Sequence, residues 1–298
     1  MYIHELLREK AKLPPREELR KRMRELSLSE EFWREIEEVY KVFAYYWNAH
    51  DKGKILKEIA FRVIDSMTDT ENTLPEILDI GAGKGDKILG IMEMVLTEAR
   101  RLVALDIVEP SAEVREEARK LLPRYRYGGC LRDDFSGARE TGDRSYDVIL
   151  FNNSIYYLEP FEENILYFLK KLKRNGALII LYLDNNFDYG ALISGICEKS
   201  GIPHESTSFS LPMRLFAGGD DRDYRPEMVE LLKHFYLQSH YDTPLSDAEF
   251  LEALRTCSDD GFLNMGFRLL VIREKQSIRF RIPIPSRNSP TTIDGDQS

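Results

Sequence analysis

Apolar positions along the chain fall into three regimes. Over residues 1–70 they recur at helical spacing. The segments 16–26 (REELRKRMREL), 29–47 (SEEFWREIEEVYKVFAYYW) and 54–67 (KILKEIAFRVIDSM) each predict an amphipathic helix, with Ser29 or Glu30 starting the second. From Glu76 onward, short apolar runs alternate with helical periods. Strands are expected at Ile77–Ile80, Leu102–Val108, around Tyr125–Cys130, at Tyr146–Phe151 and at Ala177–Leu183. Helices are expected between them at Lys87–Arg100, Ala112–Leu122 and Phe161–Lys173. Strands this apolar, without polar alternation, belong to a parallel sheet covered on both faces. Asn175-Gly176 reads as a helix end turning into a strand. After Asp184 the regularity loosens. A helix is expected at Phe187–Ser200, a strand at Thr207–Phe216 and a polar loop at 217–226. Helices at Glu227–Leu237 and Asp247–Leu254 follow, then a last strand at Phe267–Ile272.

This pattern predicts an α/β fold with a doubly wound, mostly parallel sheet over residues 71–278. An N-terminal helical cap (1–70) precedes it, and a substrate-side elaboration (187–262) is inserted before the last strand. The tail at 279–298 is rich in Pro, Ser, Thr and Asp and is expected to be disordered.

Composition narrows the chemistry. The chain has 298 residues, of which 43% are hydrophobic, enough for a sizeable core. No apolar run approaches the ~20 residues that cross a bilayer, and the N-terminal MYIHELLREK is broken by charge too early for a secretory signal. The three cysteines stand apart, which fits a reducing, cytoplasmic setting, and the five histidines form no zinc-binding pair. No metal is therefore expected. A net charge of −9 repels a phosphate backbone, so no nucleic acid is expected as partner. A small or cationic partner fits better, and both monomer and dimer remain open.

The sharpest local feature is Ile77-Leu-Asp-Ile-Gly-Ala-Gly-Lys-Gly-Asp-Lys87, in which an apolar strand runs into glycines and then directly into a helix. Glycines there let the backbone turn tightly and approach a ligand, and the amides at the helix start present donors. The spacing is not GxxxxGK[ST], which a phosphate loop requires. Nor is it GxGxxG, because Asp86 stands where a dinucleotide loop has its third glycine. The pattern is DxGxGxG: Asp79, Gly81, Gly83 and Gly85, with Ala82 between the first two glycines. A structural turn alone accounts for such a loop less well than a ligand does.

The next strand ends at Glu109-Pro110-Ser111. A carboxylate at that place accepts hydrogen bonds from ribose hydroxyls in dinucleotide folds, or simply favours a helix N-terminus. Asp106 lies three residues earlier, inside the strand, and so is the poorer candidate. Past the third strand, Asp134 either accepts from an adenine amino group, with Phe135 against the ring, or is with Asp133 a solvated loop acid, the commoner case for adjacent acids. After the fourth strand comes Phe151-Asn-Asn-Ser-Ile-Tyr-Tyr157. Asn152 and Asn153 at a parallel strand's carboxyl edge are poor core residues, although turns and caps also use them.

DIGAGKG, VEPSAEV and NNSIYYL, in this order and spacing, resemble the class I methyltransferases and, more narrowly, their histamine N-methyltransferase-like branch. The resemblance covers about residues 40–185 and the last strand. It implies a Rossmann-like class I methyltransferase fold with S-adenosylmethionine as cofactor and S-adenosylhomocysteine as product. It also implies a small-molecule acceptor, with an amine nitrogen favoured. On this resemblance Asp79, Gly81, Ala82, Gly83, Gly85, Glu109, Pro110, Ser111, Asp134, Phe135 and Asn152 bind the cofactor. Tyr46, Trp47, Asn153, Tyr156, Tyr157 and Asn264 line the acceptor side, with Met265 the alternative to Asn264. Asn153 and Asp51 are the catalytic candidates, Asp51 as the acid that takes up the amine proton. Lys84 and Lys87 point either to solvent or to the cofactor's carboxylate, and His50 reads as a cap or surface residue. Most of these aromatics are expected to pack the N-terminal helices onto the sheet.

The alternatives are an O- or carboxyl-methyltransferase, an enzyme acting on a peptide or natural-product intermediate, an inactive cofactor-binding module, and an NAD-dependent oxidoreductase.

Overall fold

The computed structural model describes residues 3–26, 29–35, 49–67, 74–128, 146–158, 160–183, 188–214, 229, 233, 245–259 and 262–273. Among the described residues seven strands form one sheet: β1 (Glu76–Ile80), β2 (Ala104–Val108), β3 (Arg126–Gly128), β4 (Tyr146–Asn152), β5 (Leu172–Leu183), β6 (His204–Arg214) and β7 (Phe262–Arg273). Their order is β3-β2-β1-β4-β5-β7-β6. The first five strands pair in parallel, whereas β7 runs antiparallel between β5 and β6.

The helices are α1 (Ile3–Lys10), α2 (Arg16–Leu26), α3 (Ala49–Ser66), α4 (Asp86–Ala99), α5 (Ala112–Leu121), α6 (Phe161–Lys171), α7 (Tyr189–Ser200) and α8 (Asp247–Cys257). Residues 30–35 are also helical, and the Ser29 hydroxyl accepts from the Phe32 amide as the cap expected there. The fold class read from the sequence is the fold observed.

The central strands carry the core. Val148, Ile149, Leu150 and Phe151 of β4 and Leu178, Ile179 and Ile180 of β5 are fully buried, as a parallel strand covered on both faces demands. On one face α3 packs along α4, β4 and β5 through Ile55, Ile59 and Val63.

Several boundaries differ from expectation. β2 starts two residues late, because Leu102 is 72% exposed and only Ala104 joins the ladder. α6 stops at Lys171 and β5 begins at once. Asn175-Gly176 therefore lies inside the strand, at an irregularity where Leu172 faces Tyr146 but Ala177 already faces Val148. Asn175 takes φ +67° there, and a Cβ on Gly176 would press on the carbonyls of Asp147 and Tyr146. The last strand begins at Phe262, so Asn264 lies within it, not before it. Its partner is Pro212, because β7 overhangs the end of β5. The helix expected at Glu227–Leu237 falls outside the described residues except Val229 and Lys233, as does the expected tail.

At the amino edge, Lys173 sits 2.9 Å from Asp147 and 2.8 Å from Glu76, while Asp147 also accepts from the Glu76 amide. This is a structural ion cluster at the opposite end from the glycine loop. Among the described residues no helix is long and apolar enough to cross a membrane, and no group of three or more His, Cys, Asp or Glu side chains can hold a metal ion.

Candidate functional site

The carboxyl ends of β1, β2 and β4 meet at one point, the place where an open parallel sheet binds ligands. The glycine loop leaves β1 with Gly81, Gly83 and Gly85 at φ +71°, +59° and +87°, values only glycine adopts readily. Each glycine meets a different surrounding. A Cβ on Gly81 would collide with the Ser154 side chain, and one on Gly85 would lie 2.9 Å from Leu122 Cδ1. A Cβ on Gly83 would meet nothing within 4 Å. Gly81 and Gly85 are thus needed by the fold, whereas Gly83 faces open space. The Gly81 amide donates to the Val108 carbonyl (2.7 Å), tying the loop to β2.

Glu109 follows β2 directly and is 5% exposed. Its Oε2 accepts from the Gly83 amide (2.9 Å) and its Oε1 from the Ser111 amide (3.0 Å). The carboxylate expected at this strand end therefore touches the glycine loop itself. Arg115 braces the turn by donating to the Glu109 and Pro110 carbonyls. Pro110 is exposed, and Ser111 is buried as the cap of α5, accepting from the Val114 amide. Asp106 is inside β2, as expected, and accepts from the Tyr146 hydroxyl (2.9 Å).

Among the described residues, two buried polar atoms at this edge have no hydrogen-bond partner: Asp79 Oδ1 and Asn152 Nδ2. Asp79 stands opposite Leu150, and Asn152 lies two residues further along β4, so both side chains leave the same face of the sheet. Burial pushes the Asp79 carboxyl up to about 7, Lys87 pulls it down and Glu109 pushes it up further. The folded protein therefore holds a proton on Asp79 between its ordinary 3.8 and about 7, while the unfolded chain does not. Stability contributed by the protonated form is complete below pH 3.8 and falls as pH rises to about 7. Asp79→Asn is expected to flatten this slope and to stabilise the ligand-free protein at pH 8 by about 2–4 kcal/mol. Chemical denaturation at pH 5 and pH 8 checks it; equal slopes in both proteins would exclude a buried ionisation at Asp79.

After β4, Asn153 adopts φ +60°, and its amide donates to the Leu181 carbonyl (2.9 Å). Its Nδ2 donates to Asn152 Oδ1 (3.4 Å) and its Oδ1 accepts from the Tyr156 hydroxyl (3.5 Å). The Ser154 hydroxyl donates to the Ile80 carbonyl, closing the gap to β1.

Tyr156 has a structural role that the sequence did not indicate. It is 4% exposed, its hydroxyl also accepts from the Leu183 amide, and its ring packs edge-on against Tyr189. It joins the ends of β4 and β5 and holds Asn153. Lys84 is ion-paired with Glu117 (2.8 Å). Asn264 is exposed on the overhang of β7, and Met265 is buried. Tyr46, Trp47, Asp134 and Phe135 lie outside the described residues, as do the side chains of Asp51 and Tyr157.

The sequence offers Glu30 only as a possible helix start. Its carboxylate accepts from the Ser111 hydroxyl (3.1 Å) and the Ala112 amide (3.0 Å). An acid following a capping serine reads as an ordinary helix-start residue, and nothing local reveals a partner 81 residues away.

No protein-family model matches the chain, and no curated protein matches it in sequence. Solved structures do resemble it. The plantazolicin methyltransferase BamL, in complex with a triazolic desmethylPZN analog and SAH, superposes with a TM-score of 0.50 at 13% identity. That match covers 86% of this chain and 98% of that one. The plantazolicin methyltransferase BpumL, with a monoazolic analog and SAH, gives 0.49 at 16% identity over 91% and 100%. At such identities what is shared is the fold, a mostly parallel, Rossmann-like class I methyltransferase sheet.

Proposed function

We propose that this chain, carrying the class I methyltransferase fold, transfers a methyl group from S-adenosylmethionine to a small-molecule acceptor, an amine nitrogen. The observation that carries the reading is the hydrogen bond from the Gly83 amide to Glu109. It places the ribose-type carboxylate against a glycine loop that is open at its middle residue.

The residues present fit the cofactor. The unpartnered, buried Asp79 Oδ1 is an acceptor for a cationic amino group, and the unpartnered Asn152 Nδ2 is a donor. Two backbone amides fix the Glu109 plane, and a carboxylate's acceptor capacity of about four hydrogen bonds suits a ribose diol. Backbone at Gly81–Gly85 would border the methionine part, and Asp134 and Phe135 are retained as the proposed adenine contacts. When bound, S-adenosylmethionine supplies an electrophilic methyl on a sulfonium. The protein's part is to bind, orient and exclude water.

Asn153 is the proposed acceptor-side residue. Its amide plane is set by Asn152 and Tyr156, and it stands at the carboxyl edge one residue beyond the cofactor-side Asn152. An amine attacks only when neutral, so a nearby acid must take its proton; Asp51 remains the proposed one. The choice of an amine rests on the resemblance of VEPSAEV and NNSIYYL to the histamine N-methyltransferase-like branch.

Calorimetric titration with S-adenosylhomocysteine, with NAD as control, tests the cofactor. Binding of the former alone supports the reading, and preference for NAD ends it. Because Asp79 titrates near 7, affinity for this amino-acid-bearing ligand is expected to rise from pH 6 to pH 8 and to lose that dependence in Asp79→Asn. Transfer of radiolabelled methyl groups to a panel of small amines then tests the acceptor. With an active amine in hand, Asn153→Ala is expected to lower turnover about 10- to 100-fold with cofactor affinity intact. A parallel fall in both would move Asn153 to the cofactor side.

A further inference from the structure

Three separate contacts bring the N-terminal helices onto the carboxyl edge of the sheet. Glu30 grips the first turn of α5, after β2, through Ser111 Oγ and the Ala112 amide. α2 lies against the turn Ile155–Tyr157, after β4. Arg16 pairs with Asp188 (2.9 Å) at the start of α7, after β5. Between these points Leu7, Leu19 and Phe32 are buried, so the segment is seated by apolar contacts as well as by charge. The two carboxylates that meet at the start of α5 have divided its donors: Glu109 takes the Ser111 amide, and Glu30 takes the adjacent Ala112 amide and the Ser111 hydroxyl.

We propose that the segments 3–26 and 29–35 form a strap across the cofactor cleft, latched by Glu30 on α5 and by Arg16 on Asp188, and that cofactor bound at Glu109 holds the Glu30 latch shut. This rests on the reading of Glu109 as the cofactor's ribose acid. The physical link is short. A ligand that fixes Glu109 fixes the Ser111 amide, and with it the helix start that Glu30 must meet. Coupling of this kind is reciprocal in affinity, so the closed latch must tighten cofactor binding by the same factor by which bound cofactor favours the latch. The Arg16–Asp188 pair is exposed and Glu30 meets α5 from an exposed position, although the Ser111 hydroxyl it grips is buried, so each contact can open without unfolding the sheet. Release of product would then require the strap to lift.

The test uses the full chain and S-adenosylhomocysteine as probe. Trp33 lies three residues from Glu30 in the same helix, edge-on to Phe32 (5.1 Å), and is one of two tryptophans in the chain. Ligand binding is expected to change tryptophan fluorescence and to slow tryptic cleavage within Arg16–Leu26. Glu30→Ala is expected to speed ligand dissociation about three- to tenfold, the scale of an anion at a helix N-terminus, and to abolish the protection. Glu31→Ala removes the same charge one residue along and is expected to behave as wild type. If Glu30→Ala binds the probe with wild-type dissociation and protection, the strap proposal is overturned while the cofactor reading stands. Equal effects of the two variants would reduce the latch to general electrostatics and overturn it too. Failure of the wild-type chain to bind the probe defeats the cofactor reading, and the proposal with it.

Discussion

Glu109→Ala is expected to weaken S-adenosylhomocysteine binding at least about a hundredfold. A charge-assisted hydrogen bond to a ligand hydroxyl is worth about 1.5–3 kcal/mol, and a ribose diol presents two hydroxyls. The structure adds a second loss. Glu109 accepts from the Gly83 and Ser111 amides in a buried setting, so truncation orphans both donors at about 1–3 kcal/mol each. The loop and the start of α5 would then relax apart, and the unfolding free energy should fall by about 2–4 kcal/mol. Glu109→Gln keeps one acceptor oxygen but turns an NH2 toward the other amide, so an intermediate loss is expected on both counts. Calorimetric titration with thermal unfolding of the same samples checks these values. Wild-type affinity in Glu109→Ala would remove Glu109 from the site.

The glycines give the second large effect, through a contrast. Gly81→Ala is expected to cost about 3–5 kcal/mol of stability, since its φ of +71° strains any L residue and its Cβ would meet the Ser154 side chain held on Ile80. Gly83→Ala has the same left-handed strain but open space around the new Cβ. Its stability cost should stay near 1–2 kcal/mol, whereas cofactor affinity should fall steeply, because the methyl occupies space that the proposed ligand needs. Urea denaturation and ligand titration on both variants separate the cases. Equal stability losses, or a Gly83→Ala protein that binds S-adenosylhomocysteine normally, would show that the loop is built for folding only.

Much of this architecture can be read before folding. The runs at Ile77–Ile80, Tyr146–Phe151 and Ala177–Leu183 lack polar alternation because both faces of a parallel strand are covered. The change to helical spacing between them places α4, α5 and α6 within two residues of their observed ends. Where the reading slipped, competing backbone demands were responsible. Asn175-Gly176 has the chemistry of a helix stop, but the neighbouring strand's carbonyls at Tyr146 and Asp147 came close enough to make it a strand irregularity. Asn264 was set before the last strand because the apolar run starts at Phe267. Pairing with β6 extends that strand outward to Phe262, over a short stretch in which buried Leu263 and Met265 alternate with exposed Asn264.

The site divides along the same line. Local order was enough to place Asp79, the three glycines, Glu109 and Asn152–Asn153 at strand ends, because strand-to-helix turns have short-range signatures in glycine and acid spacing. Long-range contact decided what those residues do. Only the folded chain turns the Gly83 amide to Glu109, spends the Ser111 hydroxyl on a helix cap and on Glu30, and draws Tyr156 inward to hold Asn153. Hydrogen bonds and burial across tens of residues leave no periodic trace in the chain. Strand polarity and turn chemistry are local and therefore legible, whereas the partner of each polar atom is settled by packing alone.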